Sequence, residues 1–518
     1  MAADYVVVGA GSAGAAVAAR LSEDGSADVV LLEAGGWPGR EELHRTDADA
    51  LLALLTADWS TAVDWGYATE PEPGVDGRRI PVARGRLVGG CSAVNALMWV
   101  RGSHRDYDGW RDLGNPGWGH RDVLPYFRRS EDYAGGASAW RGGGGPVRVA
   151  APAEPTPLAE AFVAAARETG HGGDGGDGDY NAEQQEGFGF HYQHTRTPQG
   201  RRSSTATGYL RPALARPNLT VQTGAQATRI LVEGGRAVGV EYLQGDRTHT
   251  LRAEREVVVC AGAFESPKLL LLSGIGPADQ LRAAGVEVLL DLPGVGRNLQ
   301  DHLFAPVCYE SLRELPPGAP LSEAGLFTRT AAADPARGPD LQFTFGPVKF
   351  LPADAPAALR AGPGFTFAPI ALLPASRGTV TLRDTDPRST ALVRPGYLSD
   401  PADLDVLVEG VRLARELAHT AAFDDFRGEE HGPGKGAVGT AELRAYVRAN
   451  ATTLWHPAGT CRMGPGPDAV VGPDLRVHGI DGLRVADASV MPTVVAGNTN
   501  APSVMIGEKA ADLILNRP

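Results

Sequence analysis

Two side chains in the C-terminal part of this 518-residue chain are of types that could move a proton. His456 lies in "TLWHPAGTCRMG" (residues 453–464), and Asn500 lies in "VVAGNTNAPSVMIGEKAA", which begins at residue 494. A neutral imidazole accepts protons near pH 7, because its unperturbed pKa is about 6.5. An amide N–H can stabilise negative charge that develops on an oxygen. Neither stretch alone distinguishes this chemistry from a packed histidine and a capping asparagine.

The N-terminal residues predict a strand, a tight turn and a helix. The apolar run 5–8 is typical of a buried strand, and an alanine-rich segment to Leu21 indicates a helix. Between them, Gly9, Gly11 and Gly14 form the pattern GxGxxG. Such glycines let the backbone turn sharply and approach a pyrophosphate, while the free N–H groups of the helix N-terminus attract its charge.

An acidic residue follows the next predicted strand, residues 29–32. Glu33 lies about twenty residues past the glycines, where a carboxylate accepts a hydrogen bond from a ribose 2′-hydroxyl and repels a 2′-phosphate. Strand, turn, helix, strand and acid together predict a dinucleotide site. At this point the cofactor is either NAD or FAD.

The length and net charge of the chain limit the number of domains and the kinds of partner to expect. A chain of 518 residues is expected to form two or three domains or one large composite. Its net charge of −13, without a basic stripe, argues against a nucleic-acid partner.

The cysteines and the hydropathy pattern predict a compartment. Cys91, Cys260, Cys308 and Cys461 are scattered and form no CxxC, which indicates neither disulfides nor a metal site. The chain enters a strand without a signal-peptide pattern, and no apolar run approaches the ~18 residues of a membrane span. We therefore expect a cytoplasmic protein without an integral membrane segment.

Further motifs distinguish between the two cofactors. Residues 84–102 read "RGRLVGGCSAVNALMWVRG", and residues 261–276 read "AGAFESPKLLLLSGIG", which predicts a helix with Pro267 in its first turn. A predicted strand then ends at Asp487 before a loop and a final helix. In this order, these segments and the two C-terminal stretches resemble the glucose-methanol-choline (GMC) oxidoreductases, in particular their choline dehydrogenase-like branch. The resemblance covers essentially the whole chain and implies FAD.

The resemblance also implies where FAD would bind. Carried over position by position, it assigns the pyrophosphate, the adenosine, the ribityl chain and the isoalloxazine ring to the following residues: Gly9, Gly11, Ser12, Gly14, Glu33, Ala34, Leu87, Gly90, Asn95, Met98, Ala227, Asp487 and Ala488. For Leu87 and Met98, a simple place in the core is an equal alternative.

The fold class implied is α/β, with a discontinuous Rossmann-like FAD-binding domain and a second domain built on an antiparallel sheet. The first domain is expected over residues 1–150, 200–302 and 451–518, and the substrate-binding domain over 151–199 and 303–450. In "LQFTFGPVKF", apolar residues alternate with Gln342 and Thr344, which predicts a half-buried strand within the second domain.

The activity implied is oxidation of the CH–OH group of a primary or secondary alcohol to a carbonyl. FAD takes the hydride at flavin N5, His456 acts as base, and Asn500 holds the oxygen. Reduced flavin would pass its electrons to oxygen or to a quinone or other carrier. The alternative is a flavin-dependent lyase, similar to hydroxynitrile lyases, or another non-redox flavoprotein on the same scaffold. The remaining histidines, including His302 in "NLQDHLF", have no comparable support.

Two departures from particular family members narrow the prediction. Some members tether FAD through a histidine immediately before the signature asparagine, but here Val94 precedes Asn95, so noncovalent FAD is expected. Choline-oxidising members carry a glutamate two residues after the histidine of their "DH" pair, whereas this chain has Phe304 there. A neutral alcohol with apolar character is therefore favoured over choline.

Overall fold

The computed structural model of the chain describes residues 2–39, 41–48, 50–51, 63–171, 178–316, 320–351 and 355–516. Most of its strands belong to two large sheets. In chain order these strands are β1 (Ala2–Val8), β2 (Val29–Glu33), β3 (Gly189–His191), β4 (Leu219–Thr223), β5 (Ala225–Glu233), β6 (Arg236–Gln244), β7 (Arg247–Val259), β8 (Leu303–Phe304), β9 (Val307–Ser311), β10 (Ala324–Thr328), β11 (Leu341–Gly346), β12 (Gly364–Ala371), β13 (Arg427–Gly432), β14 (Thr452–Thr453) and β15 (Leu483–Val485). The longer helices are α1 (Ser12–Leu21), α2 (His104–Asp112), α3 (His120–Ser130), α4 (Pro157–Glu168), α5 (Gly262–Leu272), α6 (Pro401–Ala418), α7 (Thr440–Asn450) and α8 (Asn500–Leu515).

The first sheet combines strands from both ends of the chain. Its order is β4-β2-β1-β7-β6-β5, and β15 also pairs with β7. Strands β4, β2, β1, β7 and β15 pair in parallel, whereas β5, β6 and β7 pair antiparallel. The carboxyl ends of parallel strands meet at one edge of a sheet. Gly9, Glu33 and Asp487 therefore come together there, although hundreds of residues separate the last from the others.

The second sheet is antiparallel, with the order β13-β9-β12-β11-β10-β3 and with β8 between β12 and β14. Helix α6 packs against it. A Rossmann-like sheet beside an antiparallel one confirms the predicted fold class. The boundaries of the two domains stay a prediction.

Strand β11 is buried on both faces, so the prediction of a half-buried strand was wrong in that respect. The side chain of Gln342 is fully buried and that of Thr344 is 8% exposed. Gln342 is tolerated there because its Nε2 donates a 2.7 Å hydrogen bond to the Tyr192 hydroxyl.

Pro267 lies in the middle of helix α5 rather than in its first turn, which corrects the sequence-based expectation. A proline inside a helix has no N–H to give to the carbonyl four residues earlier. That carbonyl, on Ala263, instead accepts a 2.6 Å hydrogen bond from the Thr460 hydroxyl. The substitute donor ties α5 to the segment that follows His456.

Helices α1 and α8 pack closely beneath the first sheet. A Cβ on Gly507 would lie 2.4 Å from the Ala13 carbonyl oxygen, so only glycine permits this approach. The next residue, Glu508, is fully buried and accepts hydrogen bonds from Arg20, Arg129 and the Tyr209 hydroxyl at 2.5–3.1 Å. A buried carboxylate between two guanidinium groups therefore joins the first and last helices of the chain.

In the described part of the chain, no helix is both long and apolar enough to span a membrane. The predicted compartment stays a prediction.

We predict that Glu508→Gln destabilises the fold, because it leaves Arg20 and Arg129 facing a neutral amide in a buried site. Breaking a buried ion pair costs about 3–5 kcal/mol. The melting temperature, measured by circular dichroism, should fall by several degrees. The control is Asp425→Asn, which breaks a pair with Arg313 whose side chains are 68% and 56% exposed; it should cost no more than about 1 kcal/mol. Equal melting temperatures for the two variants would contradict the prediction.

Candidate active site

The glycines of the turn after β1 have no side chains that would keep a ligand away from the backbone. Gly9 has φ +98°, and a Cβ there would lie 2.6 Å from the Cys260 carbonyl oxygen. Gly11 faces Gly90, where a Cβ would lie 2.7 Å from the Gly11 Cα. Helix α1 starts at the next residue, and no side chain of the described residues caps it. Its first N–H groups are therefore available to a phosphate.

Glu33 ends β2 beside this turn. Its carboxylate is 6% exposed and accepts hydrogen bonds from the backbone N–H groups of Ala10 and Gly35, at 2.9 and 2.8 Å. Burial raises its pKa to about 7, although both of these N–H groups lower it. The lone pairs that remain can accept from the hydroxyls of a sugar.

Asp487 follows β15 and faces the start of helix α5. Its carboxylate accepts from the Gly262 N–H at 2.9 Å, the Ser266 hydroxyl at 2.6 Å and the Ser489 N–H at 2.7 Å. These contacts attach the C-terminal segment to the edge of the first sheet. Asp487 and Ala488 thereby become part of the wall of the same cavity as Gly9 and Glu33.

One large cavity joins nearly all of the predicted site residues. It is lined by Gly9, Gly11, Ser12, Glu33, Ala34, Gly90, Asn95, Met98, Ala227, His456, Asp487, Ala488 and Asn500. Gly14 packs beneath the turn instead, where a Cβ would lie 1.9 Å from the Gly9 carbonyl oxygen. Leu87 is buried in a small apolar cluster with Leu43 and Val94. This agrees with the alternative given in the sequence analysis, in which Leu87 is a core residue.

His456 also lines this cavity and follows β14 closely in the chain. The preceding residue, Trp455, has φ +62°, an uncommon conformation for a bulky side chain. It is held by the Thr453 hydroxyl, which accepts from the Trp455 N–H at 2.7 Å, and by Arg84, which donates to the Trp455 carbonyl at 2.7 Å. The His456 N–H donates to the Asp301 carboxylate at 2.8 Å. These contacts orient the imidazole towards the cavity.

The surroundings of the His456 ring keep it neutral. Burial, followed by the neighbouring His302 and Arg84, lowers its pKa well below 6.5. Its Nδ1 lies 3.0 Å from Nδ1 of His302, and its Nε2 lies 3.2 Å from Nδ2 of Asn498. A neutral imidazole in a cavity can accept a proton from a bound hydroxyl group.

Asn500, the predicted partner of His456, lines the same cavity as His456, and its catalytic role stays a prediction. Asn500 is the first residue of α8, and its Oδ1 accepts a 2.8 Å hydrogen bond from the Ser12 hydroxyl. Asn498, two residues earlier, is the asparagine in contact with His456. Both asparagines of "NTN" line the cavity with His456, and the direct contact with the imidazole comes from Asn498. The motif signals an asparagine here, but not which one.

Asp301 and His302 were not predicted as site residues. The Asp301 carboxylate is buried and accepts from the hydroxyls of Tyr397 and Thr453, both at 2.6 Å, and from the N–H groups of His302 and His456. Burial raises its pKa, and these donors oppose the rise. The only sequence signal was their adjacency in "QDH".

The part of the cavity next to His456 is mainly apolar. It is lined by Met98, Phe304, Leu321, Thr344, Phe345, Val348, Phe350, Thr366, Ala368, Leu454 and Trp455. Phe304 and Phe350 contact edge to face, with ring centroids 5.1 Å apart. The Glu265 carboxylate also lines the cavity, where it pairs with Lys268 at 3.2 Å.

The cavity as a whole fits FAD. Glycines and the open N-terminus of α1, which could bind a pyrophosphate, line it together with the Glu33 carboxylate. Ala227 lines it together with these residues, and the apolar wall with His456 completes it. A dinucleotide of this kind carries phosphates, a ribose and a flat apolar ring, and each finds suitable residues here.

Comparison with known proteins gives the same result. The GMC oxidoreductase model for the N-terminal part matches residues 3–304, and that for the C-terminal part matches residues 374–507. An oxygen-dependent choline dehydrogenase of Sinorhizobium medicae is 43% identical, over the whole of this chain and 96% of the relative.

Solved structures agree. Pyridoxine 4-oxidase from "Mesorbium loti" is 34% identical, with a TM-score of 0.89 over 98% of both chains. A formate oxidase of Aspergillus oryzae, studied for its FAD modification, is 26% identical, with a TM-score of 0.88 over 99% of this chain and 98% of that one. With these matches, and with a cavity shaped for FAD that a neutral histidine lines, the chain belongs to the GMC oxidoreductase family of FAD-dependent enzymes that oxidise alcohol CH–OH groups.

Proposed function

We propose that His456 is the base of this FAD-dependent oxidation of a primary or secondary alcohol to its carbonyl. The observation that supports it most is the neutral imidazole in the wall of the FAD-shaped cavity, with Nε2 beside the Asn498 amide. The alternative lyase activity gains no support from the relatives named above. We also propose oxygen as the electron acceptor, as the name of the Sinorhizobium relative suggests for that protein.

Oxidation of an alcohol removes a hydride from carbon and a proton from the hydroxyl group. When bound, FAD supplies the acceptor for the hydride. The substrate hydroxyl takes the place of the Asn498 amide N–H at His456 Nε2, which receives its proton, so that negative charge develops on the oxygen. That charge leaves with the hydride as the C–H bond breaks and the carbonyl forms. The Asn498 amide, 3.2 Å from Nε2, donates to that oxygen and stabilises the charge. The apolar wall excludes water from the reacting atoms.

In this proposal Asn498 takes the role that the sequence assigned to Asn500. Asn500 instead fixes the Ser12 hydroxyl at the start of α1, beside the proposed pyrophosphate site. Its predicted catalytic role stays a prediction, and the variants below separate the two asparagines.

The FAD-binding roles follow the same cavity. Gly9, Gly11, Ser12 and Gly90 would hold the pyrophosphate through N–H groups and close approach, and Glu33 would bind the ribose. Met98, Asn95 and Ala488 would lie along the ring side, and Ala227 at the adenine. Val94 offers no nucleophile, so FAD is held noncovalently in this proposal.

The proposed substrate is an uncharged alcohol with an apolar body. Phe304 stands where choline-oxidising members carry a glutamate, so a quaternary ammonium group at this position would lose its hydration with an aromatic face instead of a carboxylate to compensate. Arg84, which also lines the cavity, adds a positive charge and disfavours a cation further. The proposed substrate class therefore differs from choline, the substrate that the name of the Sinorhizobium relative gives for that protein.

Glu33→Gln should weaken FAD binding, because a charged acceptor of hydrogen bonds from ribose is worth roughly 1.5–3 kcal/mol. Ribose hydroxyls favour the ionised carboxylate, so FAD binding lowers the pKa of Glu33 from about 7 and releases a proton. The affinity of the parent protein should therefore fall as the pH drops below about 7. Flavin fluorescence of equilibrated samples gives the dissociation constant. Identical pH profiles for parent and variant would move the ribose contact to another residue.

His456→Ala should retain FAD but slow flavin reduction by ~10² to 10⁴, the usual contribution of a general base. Asn498→Ala should slow it by ~10², since it removes a donor to the charged oxygen. Asn500→Ala is the matched variant and should slow reduction less. Anaerobic stopped-flow absorbance at equal FAD occupancy measures all three. If Asn500→Ala is the slower of the two asparagine variants, the original assignment was correct.

Choline and 3,3-dimethyl-1-butanol have the same shape, but only choline is charged. The uncharged alcohol should reduce the flavin at least about tenfold more efficiently, a difference of 1.4 kcal/mol or more. Phe304→Glu should shift the preference towards choline, with Phe304→Gln as the uncharged control. A parent protein that prefers choline would refute the neutral substrate class without affecting the role of His456.

A further inference from the structure

His302 is a fully buried histidine whose ring bridges the proposed base and a backbone carbonyl. Its Nε2 lies 3.0 Å from the Leu372 carbonyl oxygen, and its Nδ1 lies 3.0 Å from Nδ1 of His456. The two rings are nearly perpendicular, at 86°. Both nitrogens of His302 are therefore engaged, and the proton positions on the two rings depend on each other.

The carbonyl decides the tautomer of His302. A carbonyl oxygen only accepts, so the hydrogen bond to Leu372 requires an N–H at Nε2 of His302. Burial lowers the pKa of His302 to about 4, so near pH 7 the ring is neutral and carries a single N–H. Its Nδ1 therefore holds a lone pair and can only accept.

The tautomer of His302 then decides that of His456. Two nitrogens 3.0 Å apart need one hydrogen between them, and His302 Nδ1 has none to give. The N–H must belong to Nδ1 of His456. Because His456 is also neutral, its lone pair is left at Nε2, the atom that faces the Asn498 amide N–H. The amide contact agrees with this, since an N–H donor needs a lone pair opposite it.

We propose that His302 is a positioning residue that fixes His456 as the Nδ1–H tautomer and so directs the basic Nε2 towards the substrate hydroxyl. This rests on the proposed function, in which His456 is the base. When Nε2 takes the proton, His456 becomes an imidazolium and its Nδ1–H bond to His302 becomes charge-assisted, which stabilises the proton-loaded ring. The Asp301 carboxylate accepts hydrogen bonds from the backbone N–H groups of His302 and His456. These bonds do not involve either imidazole ring.

The charged and titratable groups around His456 are His302, Arg84 and the Asp301 carboxylate. The pH profile of a His302 variant is therefore interpreted together with the ring signals described below, which report on the two imidazoles directly.

The test compares His302→Leu with His302→Asn in FAD-loaded protein. Leucine removes the acceptor, so His456 is free to carry its proton at Nε2, whereas the asparagine Oδ1 can still accept from Nδ1–H. In a serine protease, loss of the correct histidine tautomer costs about 10⁴ in rate. We expect flavin reduction to slow by ~10² or more in His302→Leu, with a shifted pH profile, and to recover by at least about tenfold in His302→Asn.

Long-range ¹H–¹⁵N spectra of histidine-labelled protein supply a readout independent of activity. The ring signals of His456, assigned by their loss in His456→Ala, should show a protonated Nδ1 and an unprotonated Nε2 in the parent. In His302→Leu they should shift towards the other tautomer.

The control is His194→Leu. His194 is also buried, its Nε2 also contacts a carbonyl, that of Ser322 at 2.8 Å, and burial lowers its pKa to about 4 as well. This variant should lose stability but keep the His456 signals of the parent. A parent His456 protonated at Nε2, or unchanged signals and rate in His302→Leu, would overturn the inference while leaving His456 as base. Near-parental reduction in His456→Ala would instead overturn the proposed function.

Discussion

The carboxyl edge of the parallel part of the first sheet is the constraint on which the cofactor site depends. Strands β1, β2, β7 and β15 end in register there, with Val8 paired to Leu32 and Val259, and Val485 paired to Val259. Each following loop must leave the sheet at the same place. The glycine turn, Glu33, the start of α5 and Asp487 are therefore neighbours, although they come from three distant parts of the sequence.

A second junction brings the reacting residues to this edge. The buried Asp301 carboxylate joins residues 301–302 to residues 453–456, and Tyr397 adds a third segment. Strand β8 pairs with both β12 and β14, so the same junction belongs to the antiparallel sheet. His456, the proposed base, thus lies where the two large sheets meet, and the contacts at that junction orient its ring.

Likeness over the whole chain identifies the family, whereas the proposed substrate class depends on the wall beside His456. The family is evident from the glycine turn to the final helix, because those residues serve the cofactor, which all members share. Phe304 lines the apolar side of the cavity. The residues on that side determine which alcohols can give up their hydration shell and bind there. Family membership and substrate choice are therefore carried by different residues of the same cavity.

The sequence by itself determined the elements whose signals are local. The glycine turn, the helix to Leu21 and the acid after the second strand follow from periodicity and glycine spacing, and the two kinds of sheet follow from the resemblance to the family. Tertiary structure alone decided which asparagine faces His456, because the choice depends on where α8 starts and how it packs on α1. It also decided that Pro267 is accommodated inside a helix, that β11 is buried on both faces, and that His302 bonds to His456. Each of these depends on contacts between residues 42 to 488 positions apart in the sequence, which no local pattern encodes.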